Sequence, residues 1–138
     1  MALAAVAVLL IDQALKLLIR ADRFESVRLG PYASLQVVHG RLWGHRFSER
    51  RSLALWLWVP SAAALVVGSA WIPSSGAFVG LLLGGSLSNA MEAQLRGSVT
   101  DYVCLRFWPT FNLADVALTV GATGILVELL RVLSAAAA

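Results

Sequence analysis

Two aspartates carry the strongest chemical signal in this chain. Asp101 lies in GSVTDYV (97–103), and Asp115 lies in FNLADVALTVG (111–121), at the threshold of an apolar helix. A carboxylate at membrane depth costs about 2.5–3.5 kcal/mol at a helix centre, so such a group usually has a partner or a function. Two carboxylates at one depth can share a proton, because ionising the second is disfavoured beside the first. An aspartyl hydrolase needs this division: one carboxylate ionised to take a proton from water, the other protonated to hydrogen-bond the scissile carbonyl. Such a pair works without a metal or cofactor, and neither is expected. The competing reading gives the two residues local duties. Asp101 would solvate a loop, and Asp115 would sit favourably in the first turn of a helix.

Other polar residues fall near the same level. Asn89 and Asn112 each offer two donors and two acceptors, which suits gripping an extended peptide or orienting a carboxyl. Interhelical hydrogen bonding is their alternative role. Asp12 and Lys16 are four apart on the first apolar segment and can pair on one helix face. Asn89, Asn112, Asp12 and Lys16 are therefore expected at the substrate-binding site, with Asp101 and Asp115 as its catalytic pair. His39 and His45 lack metal-ligand spacing and receive no role. Cys104 is the only cysteine, so no intramolecular disulfide and no cysteine-based metal site is possible.

The elements that position these residues are membrane helices. The 138 residues are 59% hydrophobic, with mean hydropathy +0.76. A soluble domain is usually about 45–50% apolar. The reading is a single all-α membrane domain over 1–138, a four-helix transmembrane bundle. Its spans are expected at about 2–19, 52–72, 75–95 and 112–133, each near the ~20 residues that a bilayer requires. The first span is read as retained, since Asp12 and Lys16 interrupt it and no basic leader precedes it. Pro60 is expected to kink the second span, and Pro73-Ser74-Ser75 to form a tight turn. In the third, Gly76, Gly80, Gly84 and Ser88 recur every four residues, a bare face for close helix packing.

Segment 20–51 is expected to form a small β-containing platform outside the membrane. VRL and SLQVV flank Gly30-Pro31, a hairpin signature. Segment 96–111 contains an extended SVTDYV stretch and aromatics suited to the bilayer interface. By parity of the spans, Asp12, Lys16, Asn89, Glu92, Asp101, Asn112 and Asp115 all gather near one mouth of the bundle. Glu128 and Arg131 lie at the far end. The net charge of +3 comes with eleven basic residues. Beside apolar spans these point to lipid phosphates rather than to nucleic acid.

Three blocks together resemble the lipoprotein signal peptidase (signal peptidase II) family. IDQALKLLI (11–19) is similar to D-Q-x-x-K at Asp12, Gln13 and Lys16. GGSLSNAMEAQLRGSVTDYV (84–103) resembles G-N-x-x-D-R…G-x-V-x-D-F at Asn89, Gly97, Val99 and Asp101. FWPTFNLADVALTVG (107–121) resembles F-P-x-F-N-x-A-D-x-x-I-x-x-G at Pro109, Phe111, Asn112, Ala114, Asp115 and Gly121. Departures are Ser88 for Gly, Glu92 for Asp, Ala93 for Arg, Tyr102 for Phe, and 38–44 in place of N-x-G-A-A-F-G. Arg96 or Arg41 is the expected source of a replacement cation.

The resemblance implies a membrane aspartyl endopeptidase of the bacterial inner membrane, multi-pass, with its catalytic aspartates at Asp101 and Asp115. It implies cleavage of diacylglyceryl-modified prolipoproteins before the lipidated Cys, with lipid and signal helix held between the spans. It also implies a site facing the extracytoplasmic side. The positive-inside rule points the other way, because all basic residues except Arg131 lie towards the loop face. Two alternatives stand beside this reading. One is a non-catalytic, signal-peptidase-like subunit packed against other membrane subunits. The other is a small transporter with an aspartate relay, for which four spans without a repeat leave little room.

Overall fold

Polar side chains fill the interior and apolar ones cover the outside. The largest fully buried side chains are Lys16, Glu92, Val79, Asn112, Thr100, Asp12, Ser75 and Ser88, of which only Val79 is apolar. Leu3, Leu10, Trp56 and Trp71 are among the large apolar side chains left exposed. A soluble protein distributes its residues the opposite way. The structure, a computed structural model, describes residues 1–21, 27–28, 30–39 and 51–137. Gly40–Gly44 of the departing segment, Arg41 and His45 lie outside the described residues.

The elements are α1 (Ala2–Arg20), β1 (Val27–Arg28), β2 (Ala33–His39), α2 (Arg51–Gly68), α3 (Gly76–Arg96), β3 (Thr100–Leu105), β4 (Trp108–Phe111) and α4 (Leu113–Ala136). The four helices and the small sheet match the expected architecture. Two of them, α1 and α4, are long and apolar enough to cross a bilayer.

The expected second span ran to 72, but α2 ends at Gly68. There the backbone tightens, with Ala70 N–H donating to Val67 and Trp71 N–H to Gly68. The apolar run Ser69–Ile72 hides this change, because hydropathy does not distinguish a last turn from a loop. Pro73–Ser75 then form a 3₁₀ helix that leads tightly into α3. Pro60 lies within α2.

α3 is the central helix, most extensively in contact with α4 and α1. Its small residues explain how three backbones come so close. A Cβ on Gly84 would lie 2.5 Å from the Ala5 carbonyl oxygen of α1. One on Gly80 would meet the Met1 carbonyl, whereas one on Gly76 would meet nothing within 4 Å. The stripe therefore packs on α1 through its middle, not over its whole length. A second small face was not anticipated. Gly85 of α3 abuts the Ala114 carbonyl of α4, and Gly121 of α4 abuts Phe78 and Leu82 of α3. α2 is joined to α3 by Trp58, whose indole N–H donates to Ser86 Oγ at 2.9 Å.

The four strands form one antiparallel sheet in the order β1-β2-β3-β4. The β1–β2 hairpin turns at Gly30, whose φ of 118° favours glycine. The β3–β4 hairpin was not anticipated, because Pro109 and the aromatics around it read as an interfacial loop. β3 bridges the two halves: Val38 pairs with Asp101, and Val103 with Phe111. Gly97 stops α3 in the left-handed conformation, its N–H donating to Ala93 O at 2.9 Å. β3 begins three residues later and lies against α1, with Thr100 donating to Glu92 of α3 and the Tyr102 hydroxyl accepting from Leu113 N–H of α4.

Candidate active site

Asn112 organises the site. It is fully buried at the junction of β4 and α4, in an extended conformation that sets it up as an N-cap. Its side-chain oxygen accepts from Asp115 N–H at 3.0 Å, and its own N–H donates to Asp115 Oδ2 at 3.0 Å. This capping box starts α4. The capping role weighed against chemistry for Asp115 is thus real, and it leaves the carboxylate at the site. The Asn112 amide N–H₂ also donates to Asp101 Oδ1 at 3.0 Å. One residue therefore touches both carboxylates, which lie fourteen positions apart in sequence.

The two carboxylates are bonded differently. Asp115 accepts through both oxygens: Oδ2 from Asn112 N–H and Oδ1 from the Asn89 amide at 2.9 Å. Asp101 accepts only through Oδ1, and among the described residues its Oδ2 has no hydrogen-bond partner. Burial pushes the Asp101 carboxyl above its ordinary value, and the charge of Asp115 adds to this. The Asn112 hydrogen bond opposes the shift. Burial also raises the Tyr102 phenol.

Behind the pair stands a buried charge network. Lys16 Nζ donates to Asn89 Oδ1 at 2.7 Å and lies 2.7 Å from Asp12 Oδ2 and 3.1 Å from Glu92 Oε2. The last contact is close but poorly aligned, since Glu92 Oε2 is buried without a hydrogen bond. Arg20 pairs with Glu92 Oε1 and donates from Nε to Thr100 Oγ1 at 2.9 Å. Thr100 in turn donates to Glu92 Oε1 at 2.6 Å. Two cations thus balance two anions, as buried charges require. Asp12 also accepts from Ser88 Oγ at 2.6 Å, from Ala114 N–H at 3.1 Å and from Tyr102 O–H at 3.3 Å. Gln13 donates to Ser88 Oγ at 2.8 Å.

The structure brings all six expected site residues into one connected network. It also shows where each lies. Asp12, Lys16 and Asn112 have no exposure, so they present no surface to a substrate in this structure. Asn89, Asp101 and Asp115 are half-buried. Glu92, expected at this mouth of the bundle, joins the network, and Arg20, Ser88, Thr100 and Tyr102 join it without having been expected in it. Ser88 already belonged to the four-residue stripe in α3, and Glu92 is its next member. Arg20 was detectable as one turn beyond Lys16. Arg20 stands beside Glu92; of the two arginines expected to stand in for the cation lost at Ala93, Arg96 is exposed at the end of α3 and Arg41 lies outside the described residues.

Comparison with known proteins gives the family and the fold. The sequence profile of the family described as signal peptidase (SPase) II matches residues 4–131. A lipoprotein signal peptidase of Methylobacterium sp. (strain 4-46) is 37% identical over 140 residues, covering 90% of this chain and 84% of that protein. One from Methylorubrum extorquens (strain PA1) is 35% identical over 115 residues, covering 75% of this chain and 67% of that one. A solved structure described as a bacterial membrane enzyme, at 2.3 Å resolution, superposes with a TM-score of 0.79 at 26% identity. It covers 94% of this chain and 86% of its own. The chain belongs to the signal peptidase II family.

Proposed function

We propose that this protein is a membrane aspartyl endopeptidase that removes the signal peptide of diacylglyceryl-modified prolipoproteins, cutting before the lipidated Cys. Its family membership supports the peptidase activity. The observation that carries the assignment of residues is the Asn112 bridge, which holds Asp101 and Asp115 at one place.

The unequal bonding supports a division of roles. Asp115, with both oxygens accepting from N–H groups and a position in the first turn of α4, is the ionised base. Asp101, whose Oδ2 has no hydrogen-bond partner among the described residues and whose carboxyl is shifted upward, carries the shared proton. A water between them loses a proton to Asp115 as its oxygen attacks the scissile carbonyl carbon. Asp101 hydrogen-bonds the carbonyl oxygen and stabilises its developing charge. The C–N bond then breaks, and the proton held on Asp115 passes to the leaving amine. The products are the signal peptide carboxylate and the new amino terminus.

In this reading Asn89 and Asn112 orient the carboxylates. Asp12 and Lys16 hold Asn89 and the start of α4 from behind rather than touching substrate. Arg20, Glu92 and Thr100 fix the beginning of β3, and with it Asp101. All four helices cross the membrane, in the bacterial inner membrane, with the sheet at one face. The exposed apolar flanks of α1, α2 and α4 support that placement. No observation favours a non-catalytic subunit over this reading. Cleavage of a lipidated prolipoprotein by the purified protein, with and without Asp101→Asn or Asp115→Asn, tests it.

A further inference from the structure

Away from the aspartates, the sheet carries a second feature. Arg28 of β1 and Arg106 of the β3–β4 turn line one cavity of about 350 Å³, together with Tyr32, Ser34 and Gln36. The two hairpins are tied there by Arg106 N–H donating to the Tyr32 carbonyl at 3.0 Å. Among the described residues the lining includes two arginines, a tyrosine, a serine and a glutamine, and no acidic residue. That is a donor-rich cavity suited to a phosphate, which guanidinium groups bind in forked geometry.

A second hollow of about 270 Å³ shares the wall formed by Tyr32, Leu105 and Arg106, and is completed by Phe107 and Trp108. It is apolar, and its rings project outward: Phe107 is 82% exposed and Trp108 67%. The Arg106 guanidinium lies 5.4 Å from the centroid of the Phe107 ring. Aromatic rings beside arginines are the composition of a membrane interface. A polar, positively charged cavity joined to an apolar hollow fits an amphiphile better than a free ion.

We infer that this face of the sheet holds the headgroup of an anionic phospholipid, its phosphate between Arg28 and Arg106 and its glycerol and first acyl carbons against Tyr32, Phe107 and Trp108. None of the lining residues belongs to the aspartate network. Bound lipid would anchor both hairpins to the bilayer surface, and β3 carries Asp101.

The test is lipid titration of the full purified chain in detergent, read by native mass spectrometry. Phosphatidylglycerol and phosphatidylcholine are compared. The parent should bind phosphatidylglycerol more tightly. Each arginine near an anionic surface contributes a factor of about 5, so Arg28→Gln with Arg106→Gln should weaken that binding about 30-fold. Binding of phosphatidylcholine, whose phosphate charge is offset by its own ammonium, should weaken much less, so the preference itself should shrink. Arg28→Lys with Arg106→Lys should retain most of the preference. If the double Gln variant does not fold, Arg106→Gln alone should lose about 5-fold by the same reckoning. Equal affinity of the parent for both lipids overturns the inference. So does a preference that survives the Gln substitutions, which would place it at other arginines. Displacement by millimolar inorganic phosphate overturns the lipid assignment in favour of a free-phosphate site.

Discussion

Replacing Lys16 with Met removes the one cation that touches Asp12 among the described residues, 2.7 Å away with both side chains fully buried. Breaking a buried ion pair by removing one partner typically costs about 3–5 kcal/mol. The surroundings place this case near the lower end. Asp12 keeps three neutral donors, on Ser88, Ala114 and Tyr102, and Glu92 keeps Arg20. A loss of about 3 kcal/mol is therefore expected. Adding Asp12→Asn to Lys16→Met leaves only the neutral Arg20–Glu92 pair, so the double variant should be more stable than the summed single effects by about 1–3 kcal/mol. The assay is unfolding of the four proteins in mixed micelles titrated with a denaturing detergent, followed by helicity. A Lys16→Met protein within about 1 kcal/mol of the parent would refute the reasoning, since a buried unpaired charge cannot be that cheap. A strictly additive cycle would refute it equally, because contacting charges must couple.

Two further outcomes follow from the geometry. Gly84→Ala should cost about 1–3 kcal/mol in the same assay, because its Cβ would press on the Ala5 backbone, while Gly76→Ala should change stability by less than about 0.5 kcal/mol. Burial and Asp115 raise the Asp101 carboxyl, so the folded state holds that proton more tightly than the unfolded chain does. Stability is thus lost as pH rises from the ordinary carboxylate value through the raised one, and Asp101→Asn should stabilise the protein at neutral pH, with the difference vanishing in acid. Cleavage itself should follow a bell in pH, falling on the alkaline side as the shared proton leaves and on the acid side as a second one joins the pair.

Much of this molecule is legible in its residue types. The paired aspartates, the helix positions to within a few residues, the glycine stripe and the β1–β2 hairpin all follow from local spacing and hydropathy. What escapes local reading is long-range. Arg20 meets Thr100 across eighty positions. From sequence alone it is a cation at the edge of a loop, and nothing in its neighbourhood names Glu92 as its partner. Tyr102 reads as an interfacial aromatic, yet its hydroxyl accepts from Leu113 N–H at 2.9 Å and reaches Asp12. Gly85 and Gly121 belong to no visible four-residue repeat, because their close approach is to each other's helix and not along one face. The β3–β4 hairpin is concealed by Pro109, which strand propensity disfavours and which only the short edge strand β4 tolerates.

The central claim is that Asp101 and Asp115 act as one catalytic unit with a shared proton. Its most direct test is cleavage of a diacylglyceryl-modified prolipoprotein by the purified protein, by Asp101→Asn, by Asp115→Asn and by the double variant, all checked for retained helicity. The account predicts cleavage by the parent, none by either single variant, and no further loss in the double, because a carboxamide cannot serve as the ionised base and the two residues work together. Full activity in either single variant would contradict it, and a well-folded parent that leaves the lipidated substrate intact would contradict the peptidase reading itself.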